Sequence, residues 1–171
     1  MSVLQAILLL ALPALVITAA LRDLTSYIIP NWLSVALAAA FLPAAFALGM
    51  PLATIGLCLG VGAAALVAGM AMFALGWIGG GDAKLFAASA LWLGLSGALP
   101  FLAWTAVTGG LLAVSLLGAR KIAPVLPFRS PAWIDRLLAD GGDVPYGVAI
   151  AVGALAAFPE SPLVRGFHAS F

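Results

Sequence analysis

The stretch PLATIGLCLGVGAAALVAGMAMFALG, Pro51 to Gly76, carries no charged side chain from one end to the other. It exceeds the roughly 20 apolar residues that cross the hydrocarbon core of a bilayer. It also lacks the short alternating segments of a transmembrane strand, being a continuous run of Leu, Ala and Gly. It reads as a transmembrane helix. Comparable runs lie to either side, at roughly 3 to 21, 30 to 49, 83 to 98, 99 to 118 and 143 to 158. The expected fold is therefore all-α, a polytopic membrane protein built as a bundle of about six transmembrane helices. Composition agrees: 65% of the 171 residues are hydrophobic, 8% are charged and the mean hydropathy is +1.23, which excludes an ordinary soluble globular domain. Six spans use up the length, so residues 1–171 read as one integral-membrane domain. The first run is kept as a helix and not a cleaved signal, because Met1 to Gln5 lacks a basic leader.

Loops near span ends on the cytoplasmic side collect Lys and Arg. Alternating sides along six spans puts Arg22, Lys84, Arg120, Lys121, Arg129 and Arg136 on one face and leaves Arg165 alone on the other. The segments 22–29, 77–82 and 119–142 are thereby expected in the cytoplasm, with both termini outside. The dispersed basic residues form no nucleic-acid patch. The single cysteine, Cys58, cannot form an intrachain disulfide and reads as a packing or lipid-facing residue. Within 119–142, Ser130 is a candidate N-cap, Pro131 suits the first helical position and Gly141 a helix end. Trp133, Ile134, Leu137 and Leu138 would then share one face. That is either a short interfacial helix or a linker anchored by Trp133.

Two aspartates stand out against this background, each where an apolar run gives way to a polar break. Asp23 comes near the C-terminal end of the first span, where the helix macrodipole disfavours an anion. Asp82 closes Gly79-Gly80-Gly81-Asp82 ahead of Lys84-Leu85. Each has an ordinary explanation: Asp23 as an interfacial carboxylate reaching water, and Asp82 as a helix cap, although capping does not account for three glycines. The charge assignment places both on one side of the membrane at similar depth, so they can meet. Two nearby carboxylates share one proton and present an acid and a base together, which is the equipment for activating water. The glycine run is not a phosphate loop, since Leu85 and not Ser or Thr follows Lys84. No metal is implied, His168 being the sole histidine, and no cofactor is called for. A third patch, Gly142-Asp143-Val144-Pro145-Tyr146-Gly147, opens the last span as either a plain cap or the wall of a site.

Taken together, Asp23 with Ile29-Pro30-Asn31, Gly79-x-Gly81-Asp82 with Lys84-Leu85, and Val144-Pro145-Tyr146-Gly147 resemble the type IV prepilin peptidases, the Gly-x-Gly-Asp membrane aspartic peptidases. The nearer likeness is to the short form associated with tight-adherence (Flp) pilus assembly. The resemblance implies a bacterial inner-membrane enzyme in which Asp23 and Asp82 are catalytic. Pro30, Asn31, Gly79, Gly81, Lys84, Pro145 and Gly147 would be motif or substrate-approach positions. The partner would be a prepilin helix in the surrounding lipid, cut at the cytoplasmic boundary behind a basic leader. Larger members carry a cysteine tetrad and also N-methylate their product. Here Tyr27 to Pro30 closes that gap directly, which speaks against methylation. The same chemistry could act on preflagellins or pseudopilins. From other classes, a small transporter or proton pathway would bind a cation or relay protons at Asp23 and Asp82, and a structural assembly subunit would use them only as caps.

Overall fold

The computed structural model describes residues 2–122 and 131–168. Its helices are α1 (Val3–Leu9), α2 (Ala11–Ser26), α3 (Asn31–Ala47), α4 (Leu52–Ala74), α5 (Gly80–Ile122), α6 (Ala132–Leu138), α7 (Tyr146–Ala157) and α8 (Pro162–His168), with a 3-10 turn at Phe158–Glu160. A capping box starts α1: Ser2 accepts from the Gln5 N–H and Gln5 reaches back to the Ser2 N–H. From Leu10 the chain runs straight on into α2, so that Val3–Ser26 is one apolar stretch. The first span therefore continues past the expected end at 21, and Asp23 lies inside the helix. Pro30 and Pro51, each in an extended conformation, precede α3 and α4.

Among the described residues four helices are long and apolar enough to cross a membrane: Val3–Ser26, Leu52–Ala74, Gly80–Ile122 and Tyr146–Gly166; α3 is apolar but shorter. The chain is a multi-pass membrane protein. If straight, α5 would reach about 65 Å, twice the hydrocarbon thickness. It is broken at Gly94, whose φ of 57° and ψ of −164° are not helical. Its neighbours show that the chain doubles back there. Gly69 packs on Ala83, Gly62 on Leu91, and Gly94 lies by Cys58, so 80–93 runs antiparallel to α4. Beyond the break, Gly97 approaches Ala157, Gly153 approaches Thr105 and Gly109 approaches Tyr146, so 95–122 runs antiparallel to α7. The boundary between the fourth and fifth spans is thus Gly94 and not the expected 98/99. A positive φ with Cys58 Sγ and Pro162 Cγ both 2.9 Å from any added Cβ admits only glycine. Cys58 is buried in this contact.

Small residues bring α4 and α5 together, as Gly69 against Ala83 shows; without a solvent-driven hydrophobic effect, such close packing is what associates helices in lipid. The largest fully buried side chains of the described residues, Trp92, Phe41 and Phe101, belong to the hydrophobic core. Trp92 donates its indole N–H to the Leu37 carbonyl at 2.7 Å and meets Phe41 edge-on, with ring centroids 6.0 Å apart. Left unpaired there, the N–H would cost about 1–3 kcal/mol.

The bundle consequently has two distinct ends. One gathers Asp23, Asn31, Lys84, Arg120 and the segment 137–147; the other gathers Gln5 with Ala47, Gly94 and Ser96 with Glu160. Arg165 ion-pairs with Glu160 at this second end. Of the expected short helix, α6 is present but begins one residue later than read, at Ala132, with Pro131 as its N-cap. Leu137 is buried, Trp133, Ile134 and Leu138 are half-buried, and Asp135, Arg136 and Asp140 are exposed. Gly141 follows with a φ of 70°. Ser130 and Arg129 lie outside the described residues.

Candidate active site

Asp82 is the third residue of α5, and its position follows from local rules. Gly79 is the N-cap, since its carbonyl accepts the first helical N–H, from Ala83, at 3.1 Å. Asp82 reaches back with Oδ2 to the Gly79 N–H at 3.3 Å. An acid three positions after the cap makes this bond characteristically, and it also meets the positive end of the helix dipole. Capping uses one oxygen only. The other, Oδ1, is buried and has no hydrogen-bond partner among the described residues. The space that glycine leaves at 79 is taken by this carboxylate, which would lie 2.9 Å from an added Cβ. The space at Gly81 is taken by Ile29, whose Cβ would be 3.1 Å away.

Asp23, 5% exposed, is placed against the local rules, three residues before the end of α2. The opposing dipole is offset from elsewhere. Pro145, fully buried, precedes α7, and the Gly147 N–H in the first turn of that helix donates to Asp23 Oδ2 at 2.7 Å. The first N–H groups of a helix have no partner within it and carry its positive pole, so α7 supplies what α2 denies. Gly147 has to lack a side chain, because an added Cβ would meet Asp23 Oδ2 and Ile29 Cδ1, each at 2.8 Å.

Both aspartates line one cavity of about 520 Å³, walled also by Tyr27, Trp77, Asp143 and Tyr146. A smaller one, about 200 Å³, also touches both and is closed by Ile28, Ile29 and Gly79 to Gly81. Side chains far apart in the chain thus face a common space at one end of the bundle. The remaining motif residues are arranged differently. Pro30 caps α3, and Lys84 donates to Asn31 Oδ1 at 2.9 Å; none of these three lines a carboxylate cavity.

A match over residues 10–114, more than half of the chain, is found with the model of the type IV leader peptidase family. The chain belongs to that family. It is therefore a peptidase of the type IV leader peptidase kind, and the matched region contains both Asp23 and Asp82 but stops short of Pro145 and Gly147. No curated protein and no solved structure matches the chain.

Two side chains at this site had no signal in the sequence. Arg120, 6% exposed at the end of α5, gives its guanidinium to backbone carbonyls: Nε to Leu137 at 2.9 Å and Nη2 to Asp143 at 2.8 Å. It pins the segment that leads into Pro145 and Gly147. An Arg ending an apolar helix looks like any interfacial cation, and only the fold reveals its partners. Tyr27 holds φ at 55°, an uncommon conformation for a residue with a side chain. Its hydroxyl donates to the same Asp143 carbonyl at 3.3 Å. Burial raises the phenol above its ordinary value, with the nearby Arg120 charge pulling the other way.

Proposed function

We propose that this leader peptidase is an aspartic endopeptidase in which Asp23 and Asp82 activate water, and that its substrate is a type IV, Flp-like prepilin cut at the cytoplasmic membrane boundary. The observation that carries the reading is the common cavity: two carboxylates from α2 and α5 line it together, and Asp82 Oδ1 has no hydrogen-bond partner among the described residues. Neighbouring carboxylates divide one proton between them. The ionised member takes a proton from water as the water oxygen attacks the peptide carbonyl carbon. The protonated member gives its proton to the carbonyl oxygen. Collapse of the tetrahedral adduct breaks the C–N bond and the leaving amine takes up a proton, so that water is added across the amide. No covalent intermediate is formed.

The cytoplasmic assignment rests on the charges. Arg22, Lys84, Arg120, Lys121 and Arg136 belong to the carboxylate end of the bundle and Arg165 to the other. A transporter or proton pathway would favour carboxylates near mid-membrane, whereas Asp82 is in the first turn of its helix and Asp23 in the last of its own. The test is co-expression with a prepilin and an immunoblot for the shortened product. Asp23→Asn and Asp82→Asn each abolish the cleavage while the protein stays inserted; normal processing by either variant removes the assignment.

A further inference from the structure

The larger carboxylate cavity is walled by two stretches of chain that belong to no helix, Gly76 to Gly79 ahead of α5 and Gly142 to Val144 ahead of Pro145 and α7. The second stretch is gripped from behind. Its Asp143 carbonyl accepts from the buried Arg120 at 2.8 Å and from the Tyr27 hydroxyl at 3.3 Å, and the Gly142 N–H donates to the Ala139 carbonyl at 3.2 Å. A buried guanidinium is a costly support for a loop that water alone would hydrate. The rest of its main chain is unused. Among the described residues, the N–H groups of Asp143 and Val144 and the carbonyls of Gly142 and Val144 have no hydrogen-bond partner. Val144 precedes a proline, which confines it to the extended region. In an extended chain successive residues turn their N–H and C=O to opposite sides. With the Asp143 carbonyl turned to Arg120 and Tyr27, the Val144 pair is turned away from them.

A peptide bond inside a helix is a poor target for water, because its carbonyl already accepts a bond from four residues on and side chains crowd around it. The chain to be cut has to be opened. An extended chain brings main-chain donors and acceptors that need new partners as they leave water. We infer that Val144 is a docking residue for the main chain of the precursor. The stretch that spans the scissile bond enters the cavity extended and exchanges two hydrogen bonds with the Val144 N–H and C=O, as an added strand does at a sheet edge. This rests on the peptidase reading above. Three residues beyond Val144, the Gly147 N–H holds Asp23 Oδ2 at 2.7 Å. One short run of chain thus carries both the docking edge and the support of a carboxylate, so that a peptide aligned on Val144 is aligned on Asp23. Arg120 and Tyr27, from the other side, keep that edge in place before the peptide arrives.

The test uses the full-length protein in detergent with a short peptide that spans the cut junction. Replacing the amides of this peptide one at a time by esters, the scissile one excepted, removes a single main-chain donor at each step. The value of kcat/KM is expected to fall about two- to tenfold at every second residue and to stay level at the residues between. A profile without that alternation overturns the inference. Val144→Pro, which deletes the N–H where the chain is already extended, is expected to cost about tenfold in kcat/KM, and Val144→Ala, which keeps the N–H, clearly less. Equal losses in the two overturn it, and the ester scan, made on the unaltered protein, decides should Val144→Pro not fold. Infrared spectra of the Asp82→Asn protein with the same peptide carrying isotope-labelled carbonyls read the bound conformation without cleavage. A strand-type amide band is expected; a helical or unshifted band overturns the inference. If the unaltered protein cuts neither peptide nor precursor the peptidase reading falls, and the spectrum alone decides the docking.

Discussion

Asp82 and Asp23 reach the same cavity by opposite routes. Asp82 is held within four residues: Gly79 caps the helix, Asp82 answers at the third position, and the dipole favours the charge. Asp23 is placed against its own helix and depends on Gly147, 124 positions away, for its hydrogen bond. One carboxylate is a product of local rules and the other of the whole fold. A perturbation of similar size should therefore cost more on the Asp23 side.

The largest effect removes the comparison altogether. Asn keeps the shape and the hydrogen-bond acceptor at either position but cannot act as an acid–base pair with its partner. Asp23→Asn and Asp82→Asn should each lower kcat/KM by about 10²- to 10⁴-fold, measured on purified protein in detergent with a prepilin substrate. Equal and near-complete losses show that both carboxylates act on the reacting bond. A surviving Asp82→Asn enzyme would reduce that residue to a cap.

The next effect separates the two routes. At Gly147 an added methyl meets Asp23 Oδ2 and Ile29 Cδ1 at 2.8 Å and the Asp23 Cβ at 3.0 Å, so the neighbours cannot withdraw without moving α2 from α7. At Gly79 the atom in the way is the far end of the Asp82 side chain, 2.9 Å off, which can turn aside. Gly147→Ala should then reduce cleavage by about 10²-fold, the scale on which an ångström of misplacement acts. Gly79→Ala should cost nearer tenfold by the same reasoning. The ratio of the two rates checks the claim, and an inverted ratio would break it.

This contrast also explains what could be read in the chain. The membrane class, the helical spans and the pairing of Asp23 with Asp82 on one side follow from long apolar runs and from where Lys and Arg fall, because the bilayer makes those patterns obligatory. The cap at Asp82 is local and equally visible. The reversal at Gly94 was misplaced by four residues: apolar composition is continuous from one limb to the next, and only a positive φ wedged between Cys58 and Pro162 marks the turn. Pro145 and Gly147 could be named from their motif, but the bond from Gly147 to Asp23 belongs to the packing of α7 on α2. Arg120 and Tyr27 were invisible for the same reason, since their partners are carbonyls that carry no sequence identity.

Arg120 provides a smaller effect on the Asp23 side. Its two bonds hold the carbonyls of Leu137 and Asp143, just ahead of Pro145. Hydrogen bonds from a charged donor contribute about 1.5–3 kcal/mol each, so Arg120→Met should loosen the entry to α7 and slow cleavage by roughly ten- to a hundredfold. Lys cannot reproduce the planar fork, and Arg120→Lys should recover the activity only in part. Cleavage assays in parallel with thermal unfolding check it: a loss of activity at temperatures where the variant is still fully folded fits a positioning role.

Tyr27→Phe should have the smallest effect, because it removes one bond of 3.3 Å to an Asp143 carbonyl that Arg120 continues to hold. A neutral bond of this kind is worth about 0.5–1.5 kcal/mol, hence about a two- to tenfold loss in rate. Burial raises the phenol above its ordinary 10.0, so the hydroxyl remains a protonated donor throughout the range below that pH, and the ratio of wild-type to Tyr27→Phe rates should stay flat across it. With Arg120 absent the same carbonyl has Tyr27 alone, and Tyr27→Phe in the Arg120→Met background should then cost more than in the wild type. Residues that share a partner are coupled in this way. Additive losses in the double-mutant cycle would mean that the two side chains do not act through Asp143, and that Asp23 is steadied by α7 without help from the segment before it.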